Sequence, residues 1–159
     1  DGIRDLVRSR GLGDVYKRQL NAQSLPWRIG VVSPDPIRGA VEKIIPLSGW
    51  ALATSGDYRN VYERDGVRYS HTIDPRTGRP VAHNLASASV IHKDCSSADA
   101  YATVLMVMGP EEGLQWAEEH GIAALLIARE PDGSLSSAAT EAFDDFIANS
   151  GTNDALERR

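Results

Sequence analysis

Asp65-Gly66 is a dipeptide typical of a type I′ turn, and it stands between two stretches of strand-forming residues, 59–64 and 67–73. A two-residue connection joins only antiparallel neighbours, so this turn commits the middle of the chain to a β-hairpin. Around it lie further short strand patterns. Trp-Arg-Ile-Gly-Val-Val at Trp27–Val32 runs into Ser33-Pro34-Asp35-Pro36, and stretches 43–47 and 50–54 are divided by Ser48-Gly49. Leu85–His92 alternates as a strand, after which Asp94, Ser96 or Ser97 can cap a helix over 98–108. Gly109-Pro110 ends that helix and opens a second over 111–119, stopped by Gly121. A buried strand over 123–128 and a turn at Glu130-Pro131-Asp132-Gly133 follow, and the polar stretch 149–159 is expected to fray. No repeat and no linker divides the chain. The expected class is α+β, with antiparallel strands and helices packed on them.

Composition narrows the functions open to such a fold. The chain has 159 residues, 42% of them apolar and 25% charged, enough for one domain with a core. No apolar run approaches the roughly 18 residues of a membrane span. A formal charge of −5 with scattered arginines gives no basic footprint, so nucleic acid is not an expected partner. The single cysteine, Cys95, leaves the redox compartment open.

Residues 1–19 are read separately. Asp14-Val15-Tyr16-Lys17-Arg18-Gln19 back-translates codon for codon to a transposon end used in sequencing libraries, and the residues before it fit the rest of that adapter. The expectation is that 1–19 are an adapter artefact, that 20–148 are the folded part, and that coding sequence upstream is missing. Without the leader the chain holds 12 basic and 19 acidic residues, a net charge of −7.

Three stretches carry candidate chemistry. Ala53-Thr54-Ser55-Gly56-Asp57-Tyr58 follows a strand with small hydroxyl residues and a glycine, whose backbone N–H groups can cradle a phosphate or a flavin edge; it is equally a strand-ending turn. In Tyr69-Ser70-His71-Thr72-Ile73-Asp74-Pro75-Arg76-Thr77-Gly78-Arg79-Pro80, His71 can accept a proton from an attacking alcohol. Arg76 and Arg79 can meet phosphate charge, although Asp74 to Gly78 is a sound turn on its own terms. Asp99 and Thr103 lie four apart on the first helix, so a carboxylate and a hydroxyl share one face and can reach one hard cation such as Mg²⁺. The alternative is that Asp99 complements the helix dipole and Thr103 bonds back to the helix. Val104, Leu105, Val107, Met108, Trp116, Leu125, Leu126 and Ile127 are assigned to the core, and His83, His92 and His120 to structural or surface roles.

In that order, Ala-Thr-Ser-Gly-Asp-Tyr, Tyr-Ser-His-x-Ile-Asp-Pro-Arg-Thr-Gly-x-Pro and Ala-Asp-Ala-x-Ala-Thr resemble the FAD:protein FMN transferase family, ApbE. The combination is far more specific than any part. The resemblance implies that Asp99 and Thr103 bind Mg²⁺. It implies that Thr54, Ser55, Gly56, Asp57, Ile73, Asp74 and Arg76 lie in the flavin-binding region and that His71 sits catalytically beside the FAD phosphates. The implied reaction moves FMN from FAD to a threonine or serine of an acceptor flavoprotein, a subunit of a redox complex, and releases AMP. An FAD pyrophosphatase, giving FMN and AMP, and a non-catalytic flavin-binding protein are the alternatives. The implied address is the periplasmic face of the bacterial inner membrane, reached through a lipid anchor in an N-terminal part that also completes the site, so the 159-residue piece by itself is expected to be inactive.

Overall fold

A computed structural model describes residues 20–21, 23–34, 41–57, 61–64 and 67–156. In chain order the elements are β1 (Trp27–Val32), β2 (Val41–Leu47), β3 (Ala51–Gly56), β4 (Val61–Arg64), β5 (Val67–Ser70), β6 (Ile73–Asp74), β7 (Arg79–Pro80), β8 (Leu85–His92), α1 (Cys95–Met108), α2 (Pro110–Glu119), β9 (Ala123–Arg129), β10 (Leu135–Ala139) and α3 (Glu141–Leu156). Every strand pair is antiparallel, as the α+β expectation required. Residues 1–19, the Asp35-Pro36 part of the turn after β1 and the Asp65-Gly66 turn lie outside the described residues. The strands on either side of that turn do pair, from Val61 with Ser70 to Arg64 with Val67.

A four-stranded sheet in the order β10-β9-β8-β3 forms the centre. Its middle strands are buried on both faces, Ser87 and Ser89 of β8 included, and Ala124 to Ala128 are all buried, because both sides of the sheet are covered. On one face Leu85, Ala88, Val90, Ala124 and Leu126 meet Ala98, Ala102, Leu105 and Met106 of α1 and Ala117 of α2. On the other, Leu52, Ile91, Leu125 and Ile127 meet Val31, Ile45 and Leu47 of the β1-β2 hairpin and Phe143 of α3. Alternate residues of β9 therefore feed different cores, as a period of two dictates.

The sheet-facing stripe of α1 is Ala98, Ala102, Leu105 and Met106. That spacing points Val104 outward, and at 39% exposure it is a surface residue, not the core residue expected from hydrophobicity alone. Asp94 is the N-cap of α1: its carboxylate accepts from the Ser97 amide at 3.0 Å and from the Ser96 and Ser97 hydroxyls at 2.7 and 2.8 Å. These bonds hold its carboxyl down at about 2, from 3.8. At the other end Gly109 has φ +91°, and a Cβ there would lie 2.9 Å from the His83 ring. His83 Nδ1 accepts from the Leu85 amide at 3.3 Å, which leaves Nε2–H to donate to the Met106 carbonyl at 2.9 Å. His83 thus closes the C-terminus of α1, a structural role like those of His92 and His120, whose Nδ1 atoms contact the Asp94 and Trp116 carbonyls.

Two elements depart from expectation. β10 and α3 were not foreseen, and α3 continues through Leu156, into the stretch expected to fray. Thr140 explains the start of α3. It is fully buried, its hydroxyl donates to the Ile122 carbonyl at 2.8 Å and accepts from the Phe143 amide at 3.3 Å, and its own amide donates to Ala124 at 3.0 Å. One side chain caps the helix and fastens it to the sheet.

Candidate functional site

β3 is longer than the sequence suggested. Ser55 and Gly56 remain in the ladder opposite Ala88 and Ser87, and the Asp57 amide still donates to the Ala86 carbonyl at 3.0 Å. The small-residue stretch is therefore strand up to Gly56, and as β3 is the edge of its sheet, alternate amides of the stretch face away from β8. The side chains alternate. The Thr54 hydroxyl is 2.8 Å from the hydroxyl of buried Ser89, directly across the ladder, whereas Ser55 turns to the helix and places its hydroxyl 3.3 Å from that of Thr103.

Thr103 Oγ1 also donates to the Asp99 carbonyl at 3.0 Å, the back-bond open to a helical threonine. Asp99 is exposed on the same face and lies beyond the first turn of α1, where Asp94 is the cap, so the helix dipole does not account for it. Asp99, Thr103 and Ser55 are thus three hard-oxygen side chains at one place. Among the described residues no group of three or more His, Cys, Asp or Glu forms a metal cage. The donor set fits a cation that takes one or two protein oxygens and draws its other ligands from phosphate and water, which is the habit of Mg²⁺.

The second motif is arranged differently. His71 follows β5, exposed, and makes no hydrogen bond among the described residues. Ile73 and Asp74 pair with Pro80 and Arg79 in the β6-β7 hairpin, with Ile73 50% exposed. Asp74 accepts from the Arg76 amide at 2.8 Å and from Arg76 Nε at 3.1 Å, and these two bonds keep its carboxyl below the usual range. Arg76 also reaches Glu112 of α2 at 3.4 Å. Two carboxylates therefore already face Arg76, so it is a less available phosphate ligand than the sequence implied. The hairpin borders an open cleft of about 510 Å³, lined by Asp74, Arg76, Arg79, His83, Val107 and Met108 among others. Among the described residues no hydrogen bond joins His71 to the Asp99 and Thr103 face.

Sequence reasoning missed Ser89, Glu112 and Arg129 as partners of the candidate residues. Arg129 Nη1 lies 3.0 Å from both oxygens of Asp57, 72 residues away.

Residues 7–126 match the profile of the ApbE family. This chain belongs to that family. An FAD:protein FMN transferase of Vibrio cholerae is 41% identical over 156 residues, covering 93% of this chain and 46% of the relative. The crystal structure of Pseudomonas stutzeri flavinyl transferase ApbE in its apo form superposes with a TM-score of 0.68 at 49% identity, over 79% of this chain and 38% of that one. The flavin transferase ApbE from Vibrio cholerae gives a TM-score of 0.70 at 44% identity, over 81% and 40%. The chain spans less than half the length of these ApbE relatives, and its antiparallel sheet with packed helices is a shared part of their fold.

Proposed function

We propose that this chain carries the metal and flavin-phosphate part of an FAD:protein FMN transferase, which moves FMN from FAD onto a threonine or serine hydroxyl of an acceptor flavoprotein and releases AMP. The observation that carries this reading is the 3.3 Å approach of Ser55 to Thr103, which brings the flavin-region strand and the Asp99 face of α1 to one point. Asp99 and Thr103 would hold Mg²⁺, which when bound neutralises pyrophosphate charge. Thr54 to Asp57 would line the flavin region. His71, exposed at the end of β5, would accept the proton of the acceptor hydroxyl. The hydroxyl oxygen then bonds to the FMN phosphorus, the bond from that phosphorus to the bridging oxygen breaks, and AMP leaves with the bridging oxygen. The likeness to the family also supports an acceptor that is a redox-complex subunit, and a lipid-anchored protein on the periplasmic face of the inner membrane.

The test uses the full-length protein containing this chain, with FAD, Mg²⁺ and an acceptor protein. FMN fluorescence bound covalently to the acceptor and an equal amount of AMP are expected, with both lost in Asp99→Ala. Free FMN in place of bound FMN would instead make the protein an FAD pyrophosphatase. Ordinary transfer by Asp99→Ala would overturn the metal assignment.

A further inference from the structure

Arg129 ends β9, and Asp57 follows the end of β3, yet these strands are not neighbours: β8 runs between them. The Arg129 and Asp57 side chains together therefore bridge two strand spacings, roughly 9.5 Å, and meet with Nη1 at 3.0 Å from each Asp57 oxygen. Both ends of this bridge are fixed. Asn84 grips the backbone of Arg129 twice, its carbonyl accepting from the Arg129 amide at 2.9 Å and its side-chain amide donating to the Arg129 carbonyl at 2.9 Å. The Asp57 amide is bound to Ala86 at 3.0 Å.

The pair is also largely withdrawn from water, with side-chain exposures of 26% for Arg129 and 16% for Asp57. A surface ion pair is weak because water screens it and both side chains must be ordered. Here ordering is already supplied by the strands, and removing the cation would leave a mostly buried carboxylate without this partner. Nearby, two polar atoms remain buried without a hydrogen-bond partner among the described residues: Arg129 Nη2 and the hydroxyl of Ser87, the residue paired with Gly56. An apolar contact would have joined β3 to β9 without burying Arg129 Nη2 unpaired. What the charged bridge adds is a fixed direction for the chain as it leaves Gly56, a residue with no side chain of its own to set one.

We propose that Arg129 is the positioning residue of the flavin-region strand: by holding Asp57 across β8, it fixes the end of β3 and keeps Ser55 against Thr103. The inference rests on the reading of residues 54–57 as the flavin region, and its structural half can be tested apart from that reading.

In the full-length protein, Arg129→Gln is expected to speed amide hydrogen exchange across 54–57 by about 10-fold or more, while exchange in β9 and α1 stays near wild type. It is expected to raise the KM for FAD roughly 10-fold and to leave kcat at saturating FAD within about 2-fold, since misplacing a binding strand weakens capture more than chemistry. Arg129→Lys, which keeps the charge on a shorter reach, should recover most of that loss. Asp57→Asn should reproduce Arg129→Gln, and the double variant should be no worse than either single one. Unchanged exchange at 54–57 would overturn the proposal. So would a lower unfolding midpoint with an unchanged KM, which would make the bridge merely structural. If exchange responds as expected but wild-type protein neither binds FAD nor transfers FMN, the positioning role stands and the functional reading falls.

Discussion

Thr54 and Ser55 are held by partners across a covered sheet, whereas Asp74 and Arg76 are held largely by each other. The first pair sits in a ladder strand between two cores, with hydroxyl partners on β8 and α1. The second sits on a two-residue hairpin, and its internal charges and one reach to Glu112 fix the turn. Preorganisation therefore differs along one candidate site. At β3 and α1 the positions of the polar atoms are set by packing far from them, while at β6-β7 they are set locally and are open to exchange with water and ligand.

That contrast predicts different responses to substitution. Leu105→Ala removes a fully buried side chain from the core under α1, and a loss of about 2–5 kcal/mol in urea unfolding is expected. A loss under about 1 kcal/mol would show that α1 is not anchored as described. Thr103→Val keeps the shape and deletes the hydroxyl, so transfer by the full-length protein should fall about 10-fold, with Thr103→Ser recovering most of it. Equal rates for Thr103→Val and wild type would break the link between β3 and α1. Arg76→Ala should change the KM for FAD by less than about 3-fold, because Asp74 and Glu112 already compensate its charge. A change as large as that of Thr103→Val would make the hairpin the tighter half of the site.

The smallest effect is in acid. The Asp94 carboxyl is held at about 2, below its ordinary 3.8, so the cap contributes fully above pH 3.8 and is lost as pH falls toward 2. Thermal melts of wild type and Asp94→Ala should differ above that window and converge at its lower end. A constant difference across the window would show that the charge of Asp94 contributes nothing to capping α1.

Where a feature depends on neighbours in sequence, it was legible. The strands flanking Asp65-Gly66, the Asp94 cap, the break at Gly109-Pro110 and the shared face of Asp99 and Thr103 all follow from spacings of two to four residues. α3 also left such a mark, in Thr140 followed by Phe143, Phe146 and Ile147, although a polar C-terminal half diluted it. The bridge from Arg129 to Asp57 left none. It exists because β8 lies between β3 and β9, and strand order is decided by how two cores fill and not by any local run of residues. The charge partner of Arg76 was hidden for the same reason, since Glu112 lies 36 residues away on α2 and meets it only in the folded arrangement. Val104 shows the converse: hydrophobicity marked it for the core, and the phase of the helix put it outside.

Ala98 and Ala102 belong to the stripe that α1 buries on the sheet. Two methyl groups are a thin spacer. They let the helix axis settle close to β8 and β3, and that clearance sets how far the opposite face of α1 stands above the strand. A valine in place of Ala102 would act as a shim, lifting α1 and parting Thr103 from Ser55 without touching either residue. These two small side chains of α1 are in this sense its gauge, and the geometry of the polar face is calibrated from beneath.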